Sequence, residues 1–125
     1  MEPTKGGEIM RRFGIIGLGV LLAAVMAWAA EQASSVTGEV VDTFCYASMG
    51  AKGGGHKQCA LDCAKKGIPV GLVEKGTDKL YVLLPNKDKT ALPEEVMNKM
   101  AETVTITGRA QTKGGSNFLT VESVK

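Results

Sequence analysis

Eighteen consecutive uncharged residues, 13–30 (FGIIGLGVLLAAVMAWAA), constrain this chain before any other feature does. As a helix the run would cover about 27 Å, close to the hydrocarbon thickness of a bilayer. A small water-soluble domain has no core large enough to bury it on every side, so the segment is read as a membrane-targeting element outside the domain. Lys5, Arg11 and Arg12 precede it and Glu31 ends it. Two fates stay open. Ala27 and Ala29, on either side of Trp28, suit the small-residue positions of a signal-peptide cleavage site. An uncleaved anchor helix with Gly14, Gly17 and Gly19 would instead pack closely against other helices and join the chain to a membrane protein complex. In both cases the positive residues stay inside, so the expected location of the remainder is periplasmic or extracellular, secreted or anchored to the inner membrane.

Residues 31–35 (EQASS) read as a linker, and residues 36–125 as one small domain. Beyond Ala30, twelve basic residues face eleven acidic ones. A net charge of +1 and few aromatic residues give no case for nucleic acid as a partner.

Residues 36–46 (VTGEVVDTFCY), rich in β-branched and aromatic side chains, predict a first strand with a bend at Gly38. Residues 49–55 (MGAKGGG) predict a flexible loop. Residues 56–66 (HKQCALDCAKK) predict a helix ending at Gly67. Residues 69–74 and 79–84, across KGTD, predict a hairpin, as do residues 104–111 and 117–124 across TKGGS. Residues 94–101 (EEVMNKMA) predict a short helix opened by Pro93, with Val96, Met97 and Met100 on its apolar side. Apart from the first helix, the order is that of a five-stranded OB-fold barrel: mainly β, with a helix between strands three and four. Gly38 and Gly108, in the similar segments VTGEV and ITGRA, fall where a small barrel must bend its strands. The core is expected from Phe44, Leu72, Val82, Leu84, Val104, Ile106, Leu119 and Val121.

The chemistry is concentrated in one short stretch. All three cysteines and the lone histidine fall within it, as Cys45, His56, Cys59 and Cys63. On a helix the last three lie at i, i+3 and i+7, on one stripe. With Cys45 they have the number and kind of ligands of a tetrahedral site for zinc or cuprous copper. A second reading pairs Cys45 with Cys59 or Cys63 in a disulfide, as befits an exported domain, and leaves one thiol over. A third gives His56 the task of activating Cys59 for thiol redox chemistry, although the spacing is not C-x-x-C. No second histidine is present to serve as a base, so the domain is expected to be non-enzymatic. Met49 could add a soft thioether to a copper site, and an exposed loop methionine is its plainer reading. Asp42 and Asp62 could be read as an acid/base pair, but a strand-facing and a helix-surface carboxylate are ordinary, and that plainer reading is preferred.

The run VTGEVVDTFC, the glycine-rich loop, HKQCALDCAKKGIPVGL and the closing VTITGRAQ and FLTVESV together resemble small secreted bacterial domains of unknown function. Over roughly residues 36–125 the chain is also similar to periplasmic OB-fold proteins. The resemblance implies fold and export; it implies no activity.

Overall fold

The computed structural model describes residues 33–125, and the hydrophobic segment expected over residues 13–30 lies outside them. The chain divides into two units, Met1–Glu31 and Gln32–Lys125, of which the second is the domain described below. Among the described residues no helix is long and apolar enough to cross a membrane.

Five strands close into a barrel: β1 (Ser34–Asp42), β2 (Val70–Glu74), β3 (Leu80–Leu84), β4 (Thr103–Lys113) and β5 (Ser116–Val124). Their order around it is β1-β2-β3-β5-β4, and β4 returns to β1. All pairings are antiparallel except β3 with β5, where Val82 stands beside Phe118 and Leu84 beside Thr120. The β4–β5 hairpin turns on Gly114 and Gly115, at φ 59° and 78°. Two successive positive φ values suit the right-handed twist of the flanking strands, which explains the glycine pair there.

The two bending glycines lie where expected, and close approach of backbones is the reason. A Cβ on Gly38 would stand 2.1 Å from the Val73 carbonyl oxygen, and one on Gly108 would stand 1.7 Å from that of Thr120. Gly38 pairs with Glu74 on one side and Val104 on the other, so β1 coils between two neighbours at that point. Gly108 sits at the register shift of the β4–β5 ladder.

The core is built on Val40, Leu72, Ile106 and Leu119, and Val96 and Met100 from the segment between β3 and β4 are fully buried in the same cluster. That segment contains the expected helix, α3 (Glu94–Asn98), shorter than expected and capped by Pro93, whose ψ of 139° places it just outside the first turn.

The structure corrects the expected core in two places. In β3 the buried residues are Tyr81 and Leu83, while Val82 and Leu84 are half-buried, so the strand faces inward one residue out of the expected register. Phe44 is 61% exposed because the first strand ends at Asp42 and residues Thr43–Met49 form a helix, α1. At its other end the strand begins at Ser34, inside the expected linker.

Candidate metal centre

Between β1 and β2 the chain makes an excursion that starts and ends at one point. The Thr43 N–H and hydroxyl both donate to the Pro69 carbonyl, at 3.0 and 2.9 Å. Inside that closure lie α1, one 3₁₀ turn (Gly54–His56) and α2 (Lys57–Lys65). Asp42 starts α1. Its Oδ1 accepts the Cys45 N–H at 2.8 Å, an N-cap bond that satisfies an otherwise orphaned donor of the first turn. Gly50 ends the helix in the left-handed conformation, φ 63°, with its N–H donating to the Tyr46 carbonyl at 2.9 Å. Glu39 of β1 accepts the Gly53 N–H at 2.7 Å and ties the glycine-rich loop to the barrel.

Seating of α2 follows from its small residues. Ala60 is buried in the core and Ala64 packs against it, so this i, i+4 stripe lies on the barrel. Cys59 and Cys63 form the neighbouring stripe, one residue step around the helix, with Cys59 exposed and Cys63 half-buried. At Gly67 (φ 96°) the chain leaves the helix, with the Ile68 N–H donating back to the Cys63 carbonyl at 3.1 Å.

The two helices bring all three thiols together. The Sγ atoms of Cys45, Cys59 and Cys63 lie within 4.8 Å of one another, and all three are free thiols. Thiolates about 2.3 Å from one tetrahedral ion lie ~3.8 Å apart, so a modest contraction would let the three hold one ion. A second group shares Cys45: Asp42, Cys45 and His56 also offer ligand atoms within 4.8 Å of one another. Either group is close enough to hold a metal ion.

The expected ligands thus divide differently from the sequence reading. Cys45 comes from the first turn of α1 and not from the end of a strand, and it is 4% exposed. His56 is the residue just before α2, and its Nε2 lies 3.0 Å from Asp42 Oδ2. The sequence reading missed Asp42, which is fully buried. A signal for it was present: Asp42 and Gly50 stand where an N-cap and a left-handed C-cap would bound a two-turn helix.

The electrostatics follow from that buried carboxylate. Burial pushes the Asp42 carboxyl up, but the Cys45 N–H and the His56 ring outweigh it, and the group is held below its ordinary value of 3.8. Burial, together with hydrogen bonding to Asp42 and its negative charge, pushes the Cys45 thiol up to about 12. The Cys63 thiol is also raised, by burial first and then by the charge of Asp42. At neutral pH the metal-free cluster therefore holds Cys45 and Cys63 protonated. A cation that displaces those protons gains two thiolates and the nearby carboxylate charge at once. Comparisons with protein-family models, with curated proteins and with solved structures returned no match.

Proposed function

We propose that this domain is an exported, non-enzymatic binding module of the OB type that holds a soft cation, zinc or cuprous copper, at Cys45, Cys59 and Cys63. The observation that carries the reading is the convergence of three thiols from two helices to within 4.8 Å. The His56–Asp42 pair beside them supplies a buried negative charge and orients an imidazole, in the manner of the outer partners that tune metal ligands. A strand order of β1-β2-β3-β5-β4 with β3 parallel to β5 supports the OB assignment. The loop between the first two strands, a usual ligand position in that fold, is where the cluster stands. Export is supported by the positively charged residues before the uncharged run at 13–30. Exposure of Cys59 favours a site that takes up and gives up its ion over one buried for structure alone.

Thiol redox catalysis is disfavoured: a nucleophilic cysteine needs a lowered pKa, and Cys45 and Cys63 are raised. Cys59 would need His56 as its base, and His56 Nε2 is engaged with Asp42 at 3.0 Å.

The test is a titration of the reduced, metal-free chain with zinc and, anaerobically, with cuprous ion. It is followed by native mass, thiol labelling and melting curves with and without chelator. The expected result is one ion per chain, protection of all three thiols, and a melt that chelator lowers. A melt indifferent to chelator and lowered by reductant refutes the reading in favour of a disulfide staple.

A further inference from the structure

We propose that Met49 supplies a fourth sulfur to the three-thiol cluster and makes it a site for cuprous copper over zinc; this rests on the metal-binding reading above. The sequence places Met49 at the edge of a loop, but the structure places it as the last residue of α1, one helical turn beyond Cys45. Residues at i and i+4 share a helix face with Cβ atoms about 5–6 Å apart. Helical side chains tilt toward the N-terminus, so the Met49 thioether leans back over the turn that carries Cys45. The two helices therefore offer matched pairs of sulfur residues at i and i+4, Cys45 with Met49 on α1 and Cys59 with Cys63 on α2.

Met49 is also 69% exposed, one of two large apolar side chains so open among the described residues. No core packing fixes it, and its three rotatable bonds leave the thioether free to turn toward an ion held by the cluster, whose Cys59 is also exposed. The competing fourth ligand is already engaged. His56 Nε2 faces Asp42 at 3.0 Å, and the ring groups with Asp42 and Cys45 instead of joining all three thiols. A thioether is a soft donor that selects monovalent copper, whereas zinc takes thiolate, imidazole and carboxylate. Three thiolates joined by an adaptable thioether thus favour copper over zinc.

The test compares the full reduced chain with its Met49→Leu variant, which keeps size and apolarity and removes the sulfur. Each is titrated anaerobically with cuprous ion against a chromophoric competitor, and separately with zinc. Copper affinity is expected to fall about tenfold in the variant, as for the loss of a tuning partner of a metal site, with zinc affinity unchanged. X-ray absorption of the copper-loaded chains should show one sulfur fewer around copper in the variant. Equal copper affinity in the two chains, or an equal loss for both metals, overturns this proposal alone. A wild-type chain that takes up neither ion overturns the metal-binding reading and this proposal with it.

Discussion

Replacing Asp42 with Ala should be among the most damaging single changes to this domain outside its apolar core. The carboxylate is fully buried and serves two partners, the Cys45 N–H at 2.8 Å and His56 Nε2 at 3.0 Å. Loss of an N-cap costs about 1 kcal/mol. A partner left unsatisfied in a largely buried site costs a further ~1–3 kcal/mol, and the His56 ring is only 17% exposed. The total of roughly 2–4 kcal/mol would lower the melting temperature by roughly 8–30 °C in a domain of this size. Asp42→Asn retains an acceptor for the Cys45 N–H and should recover the capping part of the loss. The assay is thermal melting of the metal-free chain under reductant and chelator, followed by circular dichroism, so that metal binding does not contribute. An Asp42→Ala variant that melts within about 3 °C of wild type would refute the argument, because so small a shift corresponds to less than ~1 kcal/mol. An Asn variant as unstable as the Ala variant would refute its capping half.

The glycines offer a sharp contrast. Gly108→Ala must push its Cβ against the Thr120 carbonyl, 1.7 Å away, and is expected to cost ~4 kcal/mol or more in denaturant unfolding. Gly50→Ala meets no atom within 4 Å and bears only the strain of φ 63°, so about 1 kcal/mol is expected. Lys57 Nζ lies 2.6 Å from Glu102 Oε2 and holds that carboxyl below its ordinary value of 4.5. A depressed folded-state value means that the stabilisation is complete above the ordinary value and is lost as pH falls through the depressed one. Lys57→Ala should therefore raise the Glu102 titration midpoint, read by NMR, and flatten that part of the acid limb of stability. Added salt should shrink the effect, since both side chains are about half exposed. An unmoved Glu102 midpoint would show that the pair does not persist in solution.

The elements legible in the sequence were those governed by local rules. Both hairpins carry glycine-bearing turns between β-rich runs, α3 follows a proline and opens with two glutamates, and Gly38 and Gly108 announced the bends. The register of β3 was not legible because all five residues of LYVLL are apolar, so a period of two fits either phase. Its phase is fixed by its partners in the sheet: Leu72 of β2 beside Tyr81 across the hairpin, and Leu119 of β5, distant in sequence, beside Leu83. The helix α1 was hidden for a different reason. Thr43, Phe44, Cys45 and Tyr46 have modest helix propensity and favour strands, and a single capping carboxylate with a left-handed glycine after it overrides that preference.

That override also explains why the site was legible in membership but not in geometry. Three cysteines and a histidine in one stretch were visible as a cluster, but the sequence reading set Cys45 at the end of a strand. The Asp42 cap turns the chain into α1, and this is what carries Cys45 to the thiols of α2. The same carboxylate faces His56, and its charge adds to burial in raising the Cys45 and Cys63 thiols. Fold and site therefore depend on one buried group, and cation binding should be coupled to the folding of the excursion between β1 and β2. Loss of Asp42 would disorder α1 and lower cation affinity together, whereas loss of Cys59, exposed on the outer side, would lower affinity with little effect on the metal-free fold.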